Sequence, residues 1–233
     1  MNDRSLLCAR GVVKTFTGPG GPVQVLKGVD LDLQVGAMAA LLGVSGSGKS
    51  TLIQILGSLD HPSAGQVLLQ GQDLFALSQN KRAEIRNRRI GFVYQFHRLL
   101  PEFSAMENVM MPLLVGRMPW DAARRRATAT LEEVGLAHRL GHKPGQMSGG
   151  EQQRAAIARA VVTGPDLMLA DEPTGNLDLE TAEGLFQLLL TLNRDRKLTL
   201  LMVTHNPALA ERCHRRLRMV DGHLLEPGAE EWP

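Results

Sequence analysis

The stretch Gly43-Val44-Ser45-Gly46-Ser47-Gly48-Lys49-Ser50-Thr51 stands directly after an apolar run, Met38 to Leu42, and opens an apolar-periodic segment that continues to Leu59. Strand, glycine-rich turn and helix in that order, with the spacing GxxxxGK[ST], form a phosphate-binding arrangement. Glycines at 43, 46 and 48 let backbone N–H groups turn inward without Cβ clashes, and the positive end of the helix dipole faces the same space. Lys49 would span the outer phosphates, Ser50 would offer a hydroxyl to Mg²⁺, and Thr51 would bond an inner phosphate. The candidate nucleotide contacts are therefore Gly43, Val44, Ser45, Gly46, Ser47, Gly48, Lys49, Ser50 and Thr51. A chance Gly/Ser loop is the competing explanation, and the flanking strand and helix speak against it.

Outward from this stretch, apolar runs recur at Val23 to Val35, Gln66 to Gln70, Ile90 to Tyr94, Leu167 to Ala170, Leu198 to Val203 and Leu217 to Val220. Several are short, fully apolar and followed by a Gly or an acidic residue and then a helical segment, the pattern of buried parallel strands in a three-layer α/β sheet. Val12 to Phe16 and Val23 to Val35, separated by the turn-rich Gly18 to Pro22, predict an antiparallel hairpin attached to that core. From about Leu77 to Lys143 the pattern is helical and charged, with Arg or Lys at 81, 82, 86, 88, 89 and 124 to 126, which reads as an inserted helical lobe. Solvated helix faces explain those basic runs better than a nucleic-acid surface does. The tail, Glu226 to Pro233, is polar with two prolines and is expected to fray.

Composition agrees with this outline. A length of 233 residues is ample for a buried core, and 43% hydrophobic residues exclude disorder. Lys+Arg 26 against Asp+Glu 24 leaves a net charge of +2, too little to mark a nucleic-acid binder. Aromatic residues at 4% with 24 glycines favour an aliphatic α/β core over an aromatic-rich sandwich. Cys8 and Cys213 lie far apart and outside any CxxC pair, which argues against a disulfide framework or a zinc site and for a reducing cytosol. The first residues are charged where a signal peptide needs an apolar stretch, and no run of about 18 apolar residues occurs, so the chain is not expected to enter a membrane alone.

Two further segments carry chemistry. Leu167-Met168-Leu169-Ala170 ends in Asp171 and Glu172; the first carboxylate would serve the Mg²⁺ shell and the second would polarise a water against the terminal phosphate. Standing alone, an acidic turn before Pro173 would be the simpler reading. Ser148 is placed to cap a helix opened by Gly149-Gly150-Glu151-Gln152-Gln153-Arg154, a second anion site whose use with one nucleotide requires a neighbouring copy. At this point the sequence resembles the nucleotide-binding subunits of ATP-binding cassette (ABC) transporters, over residues 6 to about 225, with Ser148, Gly149, Gly150 and Glu151 in the signature loop.

The resemblance implies a fold and a site. The fold would be a P-loop NTPase, RecA-like parallel-sheet core with an antiparallel β subdomain and an inserted α-helical subdomain. One domain would span 1–233, with core and β subdomain at about 6–76 and 155–225 and the lobe at about 77–154. Gln95 matches the glutamine that reaches metal and water, Asn176-Leu177-Asp178 matches the loop crossing between subunits, and His205 matches the histidine on the terminal phosphate. The catalytic set is then Glu172, His205 and Gln95, the metal set Ser50, Gln95 and Asp171, and Asp178 joins the ATP-binding set. Phe16 lies where the family places a ring against adenine, with a buried core Phe as the alternative. Val44 and Met147 depart from the usual residues without removing a chemical group.

Within that family, the run Ile90 to Leu114, above all Phe96 to Phe103, is similar to ATPases of lipoprotein-releasing complexes of Gram-negative bacteria. This implies ATP and Mg²⁺ as cofactors, a second copy of the chain and LolC/LolE-like integral membrane subunits as partners, lipoprotein cargo handled indirectly, no nucleic acid, and a peripheral place on the cytoplasmic face of the inner membrane. Phe96, Leu99, Leu100 and Phe103 would anchor a helix of the membrane subunit, with His97, Arg98 and Glu102 at the rim. A macrolide-export or cell-division complex of the same type is the runner-up, and a cassette acting on DNA or ribosomes the third reading.

Overall fold

A computed structural model describes residues 5–226; most of the polar tail, 227–233, lies outside the described residues. The chain starts with two long strands, β1 (Ser5–Gly18) and β2 (Gly21–Gln34), joined at Gly18 and Gly21 as an antiparallel hairpin. β3 (Met38–Leu42) leads into α1 (Lys49–Leu56), followed by β4 (Ala64–Leu69) and the short β5 (Gln72–Asp73). Next come α2 (Gln79–Arg89), β6 (Ile90–Tyr94), α3 (Ala105–Val115) and α4 (Trp120–Glu133). Two single 3₁₀ turns precede α5 (Gly149–Val161), and the chain closes with β7 (Leu167–Asp171), α6 (Leu179–Arg196), β8 (Thr199–Val203), α7 (Pro207–Glu211), β9 (Arg215–Val220) and β10 (His223–Leu225).

Two sheets result. One has the order β10-β9-β3-β8-β7-β6, parallel throughout except for the antiparallel edge pair β9 and β10; the other is antiparallel, β2-β1-β4-β5. The parallel strands read as continuous apolar runs because successive side chains point to opposite faces and both faces are covered. Met38, Met168, Ala170, Leu200 and Met202 face a core shared with α3 to α6, while Ala39, Leu41, Leu167, Leu169, Leu201 and Val203 face α1 and the antiparallel sheet. A parallel core sheet, a separate antiparallel sheet and helices between them match the architecture expected from the sequence, and β10, an edge strand of three residues, was beyond the reach of the hydrophobic pattern.

Strand β6 lies inside the segment 77–154 that sequence reading assigns to the lobe, yet it pairs along its whole length with β7. The helical packing proper is α3 against α4 and α5. The segment before α3 is fixed by Asn108: its Oδ1 accepts the Leu100 N–H at 2.8 Å and its Nδ2 lies 3.0–3.1 Å from the carbonyls of Leu100, Phe103 and Ser104. That clamp turns Leu99 into the lobe's core and leaves Phe96, Leu100 and Phe103 exposed, so Leu99 is a packing residue and not an outward anchor. Arg98 is likewise engaged, its guanidinium 4.1 Å over the Tyr94 ring. No helix among the described residues is long and apolar enough to cross a membrane.

Candidate functional site

The cleft that gathers the predicted chemistry sits at the carboxyl ends of β3, β7 and β8, where loops leave a parallel sheet. It has a volume of about 440 Å³, and its walls include Gly43, Ser45, Gly46, Gly48, Lys49, Ser50, Thr51, Asp171, Glu172 and His205. These residues come from three separate parts of the sequence, and the order β3-β8-β7 brings them together.

The loop after β3 is shaped by backbone conformations open to glycine. Gly48 has φ 106° at the N-cap of α1, and a Cβ at Gly43 would stand 2.5 Å from the Met219 carbonyl oxygen. Lys49 reaches back across the loop, donating from Nζ to the carbonyls of Gly43 and Val44, each at 2.8 Å. Val44 contributes that carbonyl while its side chain points outward, 75% exposed, which is why a bulkier residue is tolerated there. Met147, the other departure, is buried in the lobe's core.

Facing the loop, Asp171 ends β7. Burial pushes its carboxyl above the usual range, and the adjacent Glu172 charge adds to this, while a hydrogen bond from Ser50 and the nearby Lys49 and Arg98 pull the other way. Glu172 sits at φ 49°, a left-handed conformation unusual for its residue type, with its N–H bound to the Val203 carbonyl at 3.0 Å. The twist carries its side chain to His205, whose Nδ1 is 3.1 Å from Glu172 Oε2. A Cβ at Gly175 would lie 3.1 Å from both Glu172 Oε2 and Gln95 Nε2, so the glycine keeps open the space between those two groups.

Not every predicted residue joins the cleft. Gln95 donates to Asn176 Oδ1 at 3.2 Å, a contact that sequence spacing did not reveal. Phe16 lies outside the cleft lining, 45% exposed, with Lys14 Nζ 4.8 Å over its ring; the buried-core alternative is thereby excluded. Val25 does line the cleft, beside Gly48, and nothing in the sequence marked it. Asp178 caps α6, accepting the Thr181 N–H at 3.0 Å and its hydroxyl at 2.6 Å, and these bonds lower its pKa.

Ser148, Gly149, Gly150 and Glu151 form a separate cluster at the start of α5, absent from the cleft walls. The Ser148 hydroxyl accepts the Glu151 N–H at 3.2 Å and Glu151 Oε2 accepts the Ser148 N–H at 2.8 Å, a reciprocal cap. A profile described as ABC transporter matches residues 26–175. The chain belongs to the ABC transporter family.

Solved ABC cassettes share its architecture. A dimeric post-hydrolysis state of the ATP-binding cassette MJ0796, bound to ADP and Pi, matches with a TM-score of 0.87 and 37% identity over 96% of this chain and 100% of that one. The lipoprotein-releasing system ATP-binding protein LolD of Pseudomonas fluorescens is 52% identical over 225 residues, 97% of this chain and 99% of its own length. LolD of Myxococcus xanthus is 49% identical over 222 residues, 95% of this chain and 99% of its own.

In this ABC chain the cap on α5 has a consequence for acid stability. The Ser148 N–H, with Arg139 beside it, holds the Glu151 carboxyl down at about 2 from an ordinary 4.5. A depressed carboxyl contributes stability that is complete above the unfolded value and is lost as pH falls through the folded one. Denaturant titrations should therefore show wild type more stable than Glu151→Gln at neutral pH, with the gap shrinking from pH 4.5 towards 2.

Proposed function

We propose that this ABC ATPase powers a complex that releases outer-membrane-directed lipoproteins from the bacterial inner membrane to a periplasmic carrier. It would work at the cytoplasmic face with LolC/LolE-like membrane subunits. Identity of about half over nearly the whole chain to proteins named for that system carries the cargo assignment and favours it over macrolide export or cell division. The cleft supports the chemistry, because Lys49, Asp171, Glu172 and His205 converge on one space lined by the phosphate loop.

Each residue's part follows from its placement. Lys49 exchanges the Gly43 and Val44 carbonyls for phosphate oxygens, a charge-assisted and stronger pairing. Backbone N–H groups from Gly43 to Thr51 cradle the remaining oxygens at the α1 N-terminus. The donor set fits Mg²⁺: Ser50 and Asp171 are hard oxygen ligands already in contact, and this ion commonly relies on one or two carboxylates plus substrate phosphates. Gln95, bonded to Asn176 outside the cleft lining, would add a third oxygen only by turning inward when nucleotide binds. When bound, it would offset the charge developing on the phosphates.

Glu172 accepts the proton of the attacking water, His205 orients that carboxylate and faces the terminal phosphate, and Gln95 fixes the far side of the water's space. Lys49→Ala should raise the dissociation constant for ATP by at least about tenfold, as loss of a charge-assisted bond implies, measured with a fluorescent analogue. Depleting the protein from cells and fractionating their membranes tests the cargo: lipoproteins destined for the outer membrane should accumulate in the inner one. A normal distribution would refute the assignment.

A further inference from the structure

The first turn of α5 is held by a residue to which neither the phosphate loop nor the cap assigns a part. Arg139, in the 3₁₀ turn Ala137–Arg139, donates from Nε to Glu151 Oε1 at 2.6 Å. The other oxygen, Oε2, holds the Ser148 N–H, so a single carboxylate joins the helix cap to the guanidinium. Arg139 Nη1 lies 3.1 Å from His142 Nε2, and His138 Nε2 approaches Glu151 Oε1 at 3.4 Å.

The turn itself is strapped to the lobe. Ala105 donates its N–H to the His142 carbonyl at 2.8 Å, and Met106 donates to that of Leu140 at 3.1 Å, tying the segment to the start of α3. Arg139 therefore acts from a fixed base. Both side chains are largely shielded, 31% and 19% exposed.

We infer that Arg139 is a positioning residue of the composite nucleotide site: by holding Glu151 it sets the direction in which Ser148, Gly149 and Gly150 present the α5 N-terminus to the nucleotide of a second copy. The inference rests on the reading of those residues as half of an ATP sandwich. It differs from a merely stabilising ion pair in what it demands. A stabilising pair would show in the melting temperature, whereas a positioning residue shows in dimer closure at unchanged single-chain nucleotide affinity.

The test uses Glu172→Gln protein, titrated with Mg-ATP and followed by sedimentation, alongside the affinity of the dilute monomer for a fluorescent ATP analogue. Adding Arg139→Ala should move the dimerisation midpoint about tenfold to higher ATP, the scale of one charged hydrogen bond, while monomer affinity stays unchanged. Arg139→Lys should recover part of the loss. Glu151→Gln should shift the midpoint in the same direction, and Arg139→Ala added to it should produce no further shift, because both remove one interaction. Midpoints equal to the parent's in Arg139→Ala or Glu151→Gln, or shifts that add in the double variant, would overturn the role of Arg139. Should the Glu172→Gln parent itself stay monomeric with Mg-ATP, the sandwich reading falls first and the inference with it.

Discussion

Glu172→Gln will bind Mg-ATP as the wild type does and hydrolyse it about 10² to 10⁴ times more slowly, the range for loss of a general base. The amide keeps the shape of the side chain and can still meet His205 Nδ1, 3.1 Å from the carboxylate in the native protein. What it loses is the capacity to take a proton. Single-turnover hydrolysis with nucleotide affinity measured in parallel separates this from Lys49→Ala, where binding itself fails because the ammonium that bridges the loop is gone. A glutamine variant that hydrolyses at nearly the wild-type rate would move the base elsewhere. The strained backbone at φ 49° makes a second comparison informative, since Glu172→Gly relaxes the conformation and removes the carboxylate together. Its rate should be as low as that of the glutamine variant, because the twist serves only to aim the side chain.

With hydrolysis blocked, the Glu172→Gln protein will sediment as a dimer in Mg-ATP, and Ser148→Arg placed on top of it will return it to monomers. Ser148 and its following glycines cap α5 and take no part in lining the cleft that holds Lys49, so within one chain the two anion-binding helix starts do not share a space. Two copies related by a two-fold axis can bring them together, each closing the other's site. Arginine at 148 would bring bulk and positive charge towards the phosphate-binding Lys49 of the opposite copy. It would also remove the hydroxyl that accepts the Glu151 N–H, so its melting curve is to be recorded alongside. Dimerisation equal to that of the single variant, at unchanged stability, would exclude the composite site.

Much of this chain was legible because its chemistry is local in sequence. The run from Met38 to Thr51 holds strand, loop and helix within a few residues, and its glycines are required by backbone positions that other residues strain to adopt. The same locality made Ser148 readable as the cap of α5, while the return bond from the Ser148 N–H to Glu151 emerged with the structure. The hairpin of β1 and β2 was readable from the turn residues between 18 and 22 for the same reason.

Where two readings competed, only tertiary packing could choose. Phe16 is exposed outside the cleft and Leu99 is buried in the lobe, although each is an apolar residue beside a motif and neither carries a local signal of its direction. Asp178 was readable as a carboxylate near the site, but its bonds to Thr181 emerge only with the start of α6. Sequence by itself determined which chemical groups the protein owns and the local turns that present them. The order β3-β8-β7, which sets Glu172 and His205 opposite Lys49, and the bond from Arg139 to Glu151 were decided by the folded structure. The physical reason is that hydrophobic period and turn chemistry act over a few residues, whereas strand order and cross-element contacts are fixed by burying both faces of the sheet at once.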